Sequence, residues 1–481
     1  MSNLAKESAM NRINALLDEN SFVEIGGLVT ARSTDFNMQD KVAASDGVIT
    51  GYGVIDNSLV YVYSQDASIL GGTVGEMHAK KISRLYDMAV KMGAPVVALV
   101  DCAGLRLEEA ADALNAFGEV YAKQAAASGV VPQVTAVFGT CGGGMGVMAS
   151  LSDFTFMAED GKLFVNAPNT LDGNRAEKCD TASAAYQAEV SGMADYTGTE
   201  EEVLAGIRQL VSVLPMNNDD FAEEQCADDL NRVCENLADC VGDTEIALEN
   251  LADAGTFFEI KKAYAKNMVT GFMKLNGITV GAVANRAAVY DEEGKAEELG
   301  TALTAEGCEK AADFVNFCDA FNIPVLTLTN ASGFAATVDN EKRIAKAAAK
   351  MTYAYAEATV PKVNVVVGQA MGNAYNVMNS KACNADIVYA WPDAKIGTMD
   401  SDAAVRIIYA EEIKKAEDSV AFINEKKAEY ETLQVSAASA AKRGYVDSII
   451  APEDTRKYVI GAFEMLYTKK EERPAKKHGT V

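Results

Sequence analysis

The chain has 481 residues, 49% of them hydrophobic, and its 69 acidic residues against 43 basic ones give a formal net charge of −26. This charge argues against binding to nucleic acid, which requires a basic face that neutralises phosphates, and against docking on anionic membrane surfaces. The apolar runs are shorter than the roughly 18 residues that a membrane-spanning helix needs, and the N-terminus lacks the apolar core of a signal peptide, so the sequence predicts a soluble, cytoplasmic protein without direct membrane insertion.

The use of cysteine and histidine limits the chemistry that the chain can perform. Most of the nine cysteines lie within apolar runs and none forms a C-x-x-C pair, which is typical of reduced, buried thiols and argues against a disulfide framework or a zinc site. The two histidines, His78 and His478, are too few to favour a Ser-His-Asp triad or an imidazole-rich metal site. We therefore predict catalysis that uses neither a metal ion nor imidazole.

Two proline-containing segments of the first half recur in the second half, both at the same distance along the chain. Pro95 recurs as Pro324 and Pro132 recurs as Pro361 (324 − 95 = 361 − 132 = 229). Because the chain has only nine prolines, two pairs at one spacing indicate an internal duplication. A chain of this length also exceeds the usual size of one hydrophobic core, so we predict two homologous domains, residues 1–245 and 246–481. The acidic stretch before this boundary, residues 216–250, is typical of a solvated helical face.

Each half begins with a pattern that predicts an antiparallel hairpin. Residues 47–64 alternate apolar and polar side chains around a turn at Asp56-Asn57-Ser58. Residues 260–285 do the same around Asn276-Gly277, a dipeptide that favours tight hairpin turns.

A helix and then a buried strand are predicted after each hairpin. Apolar side chains recur at helical spacing over residues 76–92 and 309–321. Each helix leads into an apolar run, residues 96–100 or 325–328, which is typical of a strand covered on both faces. The repeated order of strand, helix and strand predicts an α/β fold with crossover connections.

Glycine-containing loops follow the buried strands in both halves and form the candidate active site. Glycine lets the backbone approach a ligand, and two loops at neighbouring strand ends can direct two N–H donors at one oxygen, which is the physical form of an oxyanion hole. The predicted catalytic donors are Gly104, Leu105, Gly143 and Gly144 in the first half and Gly333, Phe334, Asn373 and Ala374 in the second, and the predicted substrate-binding neighbours are Arg106, Met145, Tyr375 and Asn376.

The glycine run at residues 142–144 has two other interpretations. Glycine-rich strand-to-helix turns also serve close packing. The run superficially matches a dinucleotide-binding fingerprint, but it lies far from the N-terminal hairpin and lacks a clear ribose-binding acid after a second strand, which argues against NAD. Recurrence of the loops in both halves favours the catalytic interpretation. Two oxyanion holes with few imidazoles suit a reaction between two enolates or amides, in which the reacting partner acts as its own base.

Several longer segments carry a family resemblance. They include Thr50-Gly-Tyr-Gly53, Val62-Tyr-Ser-Gln-Asp66, Glu76-Met-His78-Ala-Lys-Lys81, Tyr264-Ala-Lys-Asn267-Met-Val-Thr-Gly-Phe272, Val315-Asn-Phe-Cys-Asp319, Ala390-Trp391-Pro392 and Lys476-Lys-His478. Together they resemble the biotin-dependent acyl-CoA carboxyltransferases, which include the beta subunit of propionyl-CoA carboxylase and the alpha subunits of biotin-dependent acyl-CoA decarboxylases. The resemblance covers nearly the whole chain and is weakest at residues 167–250.

The resemblance implies a fold and a reaction. The fold is a tandem duplication of two crotonase-like (ClpP/crotonase) domains, the first binding acyl-CoA and the second binding biotin. The first hole would hold the thioester carbonyl and the second the ureido carbonyl of biotin, while CO2 moves between carboxybiotin and the alpha carbon of the acyl group. The active site would lie between the N-terminal half of one subunit and the C-terminal half of another.

The resemblance also implies cofactors and partners. Biotin would arrive on a separate carrier, with a coenzyme A thioester as substrate. The sequence has no Ala/Val-Met-Lys-Met attachment site and no ATP-grasp phosphate loop. We therefore expect a biotin carboxyl carrier protein and a biotin carboxylase or membrane decarboxylase subunit as separate chains, and a homo-oligomer between dimer and hexamer.

Three loops differ from the family pattern, and one of them is Ala331-Ser332-Gly333-Phe334-Ala335-Ala336-Thr337, which stands where the family has Pro-Gly-Phe-Leu-Pro-Gly. Cys102-Ala103-Gly104-Leu105-Arg106 stands where the family has Ser-Gly-Gly-Ala-Arg, and Gly372-Asn373-Ala374-Tyr375-Asn376 stands where it has Gly-Gly-Ala-Tyr-Asp. Two alternatives to a carboxyltransferase therefore stay open: a non-catalytic structural or regulatory paralogue within such a complex, and a CoA-thioester hydrolase or hydratase that uses only the first half. The acyl group and the direction of transfer are not predicted.

Overall fold

The protein folds into two compact units, Met1–Ala222 and Glu223–Val481. A computed structural model describes residues 9–32, 36, 38–39, 43–222, 226, 228–290 and 294–481 of them. Each unit contains a largely parallel sheet flanked by helices, so the predicted tandem α/β organisation is confirmed.

The first unit is built around one mixed sheet. In the described residues its strands lie in the order β1-β2-β3-β4-β5-β6-β8, with β7 beside the end of β5, and β3 to β6 run parallel. The strands are β1 (Val23–Glu24), β2 (Val48–Ile55), β3 (Ser58–Gln65), β4 (Val96–Cys102), β5 (Gln133–Gly142), β6 (Phe154–Ala158), β7 (Lys162–Phe164) and β8 (Tyr196–Gly198), and the helices are α1 (Ala9–Leu16), α2 (Glu76–Met92), α3 (Ala110–Ala127), α4 (Gly144–Ser150), α5 (Asn174–Glu177), α6 (Ala184–Glu189) and α7 (Glu200–Val213).

The second unit repeats this sheet. Over its described residues the strand order is β9-β10-β11-β15-β17-β18-β20, with β19 beside the end of β17, and two short additional pairs, β12-β13 and β14-β16, lie outside this sheet. The strands are β9 (Phe258–Ile260), β10 (Met268–Leu275), β11 (Ile278–Asn285), β12 (Ala288–Tyr290), β13 (Ala296–Glu298), β14 (Ala302–Leu303), β15 (Val325–Ala331), β16 (Gly333–Phe334), β17 (Lys362–Met371), β18 (Ile387–Ala390), β19 (Lys395–Gly397) and β20 (Ser448–Ile449). The helices are α8 (Thr244–Leu251), α9 (Ala305–Ala320), α10 (Val338–Glu341), α11 (Ile344–Glu357), α12 (Gly372–Val377), α13 (Ser401–Ile408), α14 (Ala410–Lys415), α15 (Ser419–Tyr430), α16 (Ala437–Lys442) and α17 (Thr455–Leu466).

The two sheets correspond strand by strand. The hairpin β10-β11 repeats β2-β3 after 220 residues (268 − 48), and β15 and β17 repeat β4 and β5 after 229 (325 − 96 and 362 − 133). The spacing grows by nine residues between each hairpin and the helix that follows it, in the segment where the second unit adds β12 and β13. The duplication inferred from the prolines therefore extends through the whole sheet.

The predicted elements agree closely with the described ones. Helix α2 spans the predicted residues, whereas α9 begins at Ala305 instead of residue 309. The reason is a cap: the Thr304 hydroxyl accepts the N–H of Gly307 at 3.1 Å, which fixes the first turn further upstream than the apolar periodicity indicates. In the second hairpin, Asn276 and Gly277 both have positive φ, as a tight two-residue hairpin turn requires.

The division between the units falls after Ala222, upstream of the expected boundary at residue 245. Cys234 and Leu237 are buried in a core cluster of the second unit. Arg232 donates to the carbonyl oxygens of Asn250 and Ala252 at 2.9 and 2.8 Å, which ties this segment to the same unit. Residues 228–243 of the acidic stretch form turns and a short 3₁₀ helix, so the interpretation of this part as a helical face is wrong.

Three sequence-based exclusions can be compared with the described residues. None of their helices is both long and apolar enough to cross a membrane. Nowhere among them do three or more His, Cys, Asp or Glu side chains gather in a way that could hold a metal ion. All nine cysteines are free thiols, as their spacing predicts.

Gly51 lies in β2 where the edge strand β1 approaches it closely, and a substitution at this position tests the contact. A β-carbon at Gly51 would lie 2.5 Å from the Phe22 ring and even closer to the Val23 carbonyl oxygen, because β1 pairs with β2 at this point. We expect Gly51→Ala to lower the free energy of unfolding by about 1–3 kcal/mol, the usual cost of overpacking. Gly118→Ala is the control, since nothing lies within 4 Å of a β-carbon there and alanine favours the helix. Equal denaturant midpoints for the two variants would show that the edge strand tolerates a β-carbon at Gly51.

Candidate functional site

In the first unit, the two predicted loops lie side by side at the ends of β4 and β5. These strands are parallel neighbours, and Cys102 pairs with Cys141 just before the loops begin. A β-carbon at Gly104 would lie only 3.2 Å from the Gly142 carbonyl oxygen, so the loop backbones are in close contact. Gly104 and Gly143 have φ of 115° and 61°, conformations that glycine adopts without strain.

The N–H of Leu105 is directed away from its neighbouring strand. Val74 and Leu105 form an isolated parallel bridge, in which the Val74 N–H donates to the Gly104 carbonyl at 2.9 Å and the Arg106 N–H donates to the Val74 carbonyl at 3.0 Å. The C=O and N–H of one trans peptide group point to opposite sides, and the Gly104 C=O points to Val74, so the Leu105 N–H of the same peptide points away from Val74. This is the side on which an external oxygen can be bound.

The four predicted donors of the first unit have different roles. The Gly104 N–H donates to Cys102 Sγ at 3.3 Å and the Gly143 N–H donates to the Phe164 carbonyl at 2.9 Å, so both have protein acceptors. Gly144 begins α4, and the N–H groups of a first helical turn have no acceptor within the helix. Leu105 and Gly144 therefore carry the open donors, N–H groups without a backbone acceptor in the part of the chain that the structure describes, while Gly104 and Gly143 give the loops their shape.

The second unit repeats this arrangement. Leu303 and Phe334 pair in β14 and β16 at the positions of Val74 and Leu105 plus 229, and the Ala335 N–H donates to the Leu303 carbonyl at 2.9 Å. The Phe334 N–H is thereby directed away from Leu303. Strand β16, which also contains Gly333, contacts α12, and the first turn of this helix includes Asn373 and the buried Ala374.

A cleft of about 720 Å³ adjoins the start of α12. The Tyr375 hydroxyl is buried without a hydrogen-bond partner among the described residues, and burial raises the pKa of this hydroxyl to about 12. Asn376 Nδ2 donates to Asn373 Oδ1 at 3.2 Å at the start of the helix. The cleft is lined by Gly372, Asn373, Tyr375, Asn376, Ser380, Lys381, Ala382, Ile396, Gly397, Thr398, Gln434, Ala440, Arg443 and Tyr445.

Several cleft residues are not predicted from the sequence. Thr398 follows β19, Gln434 precedes α16, and Arg443 and Tyr445 follow α16. None of these positions stands in a recognisable motif, and they come together because α16 packs near β19. No local signal in the sequence marks them.

Two predicted substrate-binding residues of the first unit are buried. Arg106 is 1% exposed and its guanidinium contacts the carboxylates of Asp46 and Glu109 and the carbonyl of Thr73. Met145 is also 1% exposed. The Arg106 guanidinium reaches a ligand only if these ion pairs break, so its placement supports a role in holding the loop.

His78 is a structural residue of the first unit. Its Nδ1 lies 2.8 Å from the Asp46 carbonyl oxygen and its Nε2 lies 3.1 Å from Gln65 Nε2. A carbonyl only accepts and an amide nitrogen only donates, so Nδ1 carries the proton and Nε2 accepts. Burial lowers the pKa of this imidazole to about 3, which keeps it neutral near pH 7.

The chain matches known proteins over its full length. The family described as carboxyl transferase domain matches residues 3–481. The carboxyltransferase subunit of propionyl-CoA carboxylase from Haloferax mediterranei and the alpha subunit of methylmalonyl-CoA decarboxylase from Propionigenium modestum are each 39% identical over 99% of this chain and 93% of their own length. A crystal structure of transcarboxylase 12S, a hexamer with methylmalonyl-coenzyme A bound, superposes with a TM-score of 0.93 at 36% identity, covering 99% of this chain and 92% of that one. The prediction of tandem crotonase-like domains is confirmed.

The neutral state of His78 predicts a pH dependence of stability. The unfolded chain binds a proton at this imidazole near pH 6.5, whereas the folded chain does so only near pH 3. Between these values the unfolded state holds more protons, so His78 lowers the free energy of unfolding by up to roughly 1.4 kcal/mol for each pH unit below 6.5. We expect His78→Gln to flatten the decline between pH 6.5 and 5 in denaturant titrations. Parallel curves for the variant and the unsubstituted protein would show that His78 does not titrate in this way.

Proposed function

Since this chain belongs to the carboxyl transferase domain family, we propose that its two loop pairs are oxyanion holes that serve the transfer of CO2 between carboxybiotin and the alpha carbon of an acyl-CoA. The chain is a carboxyltransferase component of the biotin-dependent acyl-CoA enzymes, and carboxybiotin reaches it on a separate carrier. No observation favours the non-catalytic paralogue.

The observation that carries the proposal is the recurrence of the open donors. Leu105 and Gly144 in the first unit correspond to Phe334 and Asn373 in the second, at a spacing of 229 (334 − 105 and 373 − 144). In each unit one donor comes from a bridge at a loop and the other from the first turn of a short helix. Two equivalent holes match a reaction in which negative charge develops on two carbonyl oxygens, one on each substrate.

The roles of the two holes follow from the reaction. In the first unit, the N–H groups of Leu105 and Gly144 bind the thioester oxygen and stabilise the enolate that forms when the alpha carbon loses a proton or CO2. In the second unit, the N–H groups of Phe334, Asn373 and Ala374 bind the ureido oxygen, and the adjoining cleft has room for the biotin bicycle. Biotin supplies a nitrogen that carries the carboxyl group and serves as the base, so the neutral, buried His78 is not needed.

The partners follow from the same reaction. The carboxyl carrier protein delivers biotin, and a biotin carboxylase or a membrane decarboxylase subunit charges or discharges it. The relative of known structure, transcarboxylase 12S, is a hexamer. For this chain we propose a homo-oligomer between dimer and hexamer, which light scattering at micromolar concentration tests.

The proposed reaction can be measured directly. The purified chain is incubated with a biotinylated carrier and with propionyl-, malonyl-, methylmalonyl- or glutaconyl-CoA, and transfer of labelled carboxyl is followed in both directions. Transfer that requires the biotin group supports the proposal. Hydrolysis or hydration of the thioester without biotin would support the use of the first unit alone, and no turnover of any thioester would support the non-catalytic paralogue.

Ala374 tests the second hole. Proline at this position removes one N–H donor in the first turn of α12, where the proline ring meets little obstruction from the helix backbone. We expect Ala374→Pro to slow transfer roughly a hundredfold, the usual effect of removing one oxyanion donor, while the affinity for acyl-CoA changes little. Ala374→Gly, which keeps the N–H, is the control for the lost methyl group. An Ala374→Pro variant that folds and transfers at the full rate would overturn the assignment.

A further inference from the structure

The ladder between the two central strands shifts at the same place in both units. In the first unit Val100 pairs with Val137 and Cys102 pairs with Cys141, so β5 advances four residues (141 − 137) while β4 advances two (102 − 100). In the second unit, β17 and β15 shift in the same way between the pairs Thr329–Val366 and Ala331–Ala370. Such a bulge takes backbone N–H groups of the longer strand out of the regular ladder.

A side chain supplies the missing acceptor in each bulge. The Thr140 N–H donates to Asp101 Oδ1 at 3.1 Å, and the Gln369 N–H donates to Asn330 Oδ1 at 2.9 Å. The two bonds are equivalent, since 330 − 101 and 369 − 140 are both 229. The shared feature is a side-chain oxygen reaching across from the shorter strand.

Glycine makes room for this oxygen in both units. A β-carbon at Gly139 would overlap the Asp101 carboxylate, and one at Gly368 would lie 2.5 Å from Asn330 Oδ1. Any larger residue at these positions would displace the acceptor. Gly139 in β5 and Gly368 in β17 therefore leave the space that the acceptor oxygens occupy.

The acceptor is charged in only one of these two hydrogen bonds. Asp101 is 5% exposed, and the Arg12 guanidinium lies 3.9 Å from its carboxylate while also pairing with Glu200 at 2.8 Å. In the second unit the neutral amide of Asn330 accepts the equivalent N–H without a charge. The geometry requires an acceptor oxygen at a fixed place, which either side chain provides.

We propose that Asp101 and Asn330 are positioning residues that set the separation of the two donors in each oxyanion hole. Each hydrogen bond joins the two strands four residues before the open donors. In the first unit, Asp101 lies four residues before Leu105, and Thr140 lies four residues before Gly144. In the second unit, Asn330 and Gln369 lie four residues before Phe334 and Asn373. Because the loops between these points are short and in contact, the bond fixes where the two N–H groups converge. This inference rests on the proposed function of the holes.

The size of the expected effect follows from the geometry that oxyanion holes require. Donors must lie about 2.7–3.1 Å from the charged oxygen, and a misplacement of about 1 Å costs roughly a hundredfold in rate. A neutral carbonyl oxygen depends less on the donors than an oxyanion does. Loss of the positioning bond therefore weakens binding of the anionic form more than binding of the neutral thioester.

The test uses the full chain and measures separately the binding of a neutral thioester and of an anionic analogue. The probes are an acyl-CoA and an analogue in which a nitronate replaces the enolate, and calorimetry gives the affinity of each. We expect Asp101→Ala to weaken the nitronate at least tenfold and the thioester less than threefold. Asp101→Asn keeps an acceptor oxygen, as Asn330 does, and is expected to retain the affinity for the nitronate.

Asp153→Ala is the matched control. Asp153 Oδ2 accepts the Gln133 N–H at 2.8 Å at the opposite end of β5, so this variant loses a bond of the same kind away from the loops. We expect it to lower stability without changing the ratio of the two affinities. If Asp101 only stabilises the fold, Asp101→Ala will change the ratio of the nitronate and thioester affinities no more than Asp153→Ala does.

The outcomes separate the inference from the proposed function. If the unsubstituted protein binds the nitronate no more tightly than the thioester, the proposed first hole is wrong. If it binds the nitronate tightly and Asp101→Ala does so equally well, the positioning role is overturned while the hole stands. If Asp101→Ala does not fold, Asn330→Ala is measured instead. We expect this variant to slow transfer at least tenfold and to leave the affinity for the nitronate unchanged. Unchanged transfer would overturn the inference.

Discussion

The two central parallel strands of each sheet end at the same edge, and the site depends on this constraint. Parallel strands present their carboxyl ends together, so the loops that follow β4 and β5, or β15 and β17, must lie beside each other. The register shift between the two strands then determines how far each strand extends past this edge. The acceptor oxygens of Asp101 and Asn330 fix this shift, and the geometry of every backbone donor downstream follows from it.

The two units place equivalent donors in different surroundings. Beside the first hole lies a buried polar cluster, in which Arg106 contacts Asp46 and Glu109 and the neutral His78 is held by Asp46 and Gln65. The cost of burying these groups is offset because each has partners, and the cluster makes this part of the loop rigid. Beside α12 of the second unit lies an open cleft. One duplicated framework thus carries different side chains beside its loops in the two units.

The proposed mechanism uses backbone donors and therefore suits a chain with only two histidines. Peptide N–H groups held by a sheet and a helix do not reorganise as charge develops, so they stabilise an oxyanion without an ionisable side chain. Their function depends on backbone geometry more than on side-chain identity. This is why the hole can keep its form when Cys102, Ala103 and Leu105 replace the residues usual in the family.

The sequence by itself determined the duplication, the hairpins, helix α2, the buried strands and the loops that follow them. Proline spacing, apolar periodicity and glycine are local signals, and each reports a local backbone requirement. The sequence also predicted that two loops of the first unit follow neighbouring strands and lie side by side, as they do, but not which of their N–H groups already have a protein acceptor. That distinction depends on the partners of each peptide group: the Phe164 carbonyl takes the N–H of Gly143, and the bridge to Val74 turns the N–H of Leu105 outward.

Only the tertiary structure decided the remaining features of the site. Arg106 stands next to a predicted donor in sequence, yet its guanidinium is turned into a buried ion cluster, because Asp46 reaches it from a distant part of the chain. Arg443 and Tyr445 lie about seventy residues from Asn373 in sequence and still line the same cleft. The boundary between the units falls after Ala222 because Cys234 and Leu237 pack into the second core. In each case long-range packing, which a linear pattern does not record, determines which groups meet.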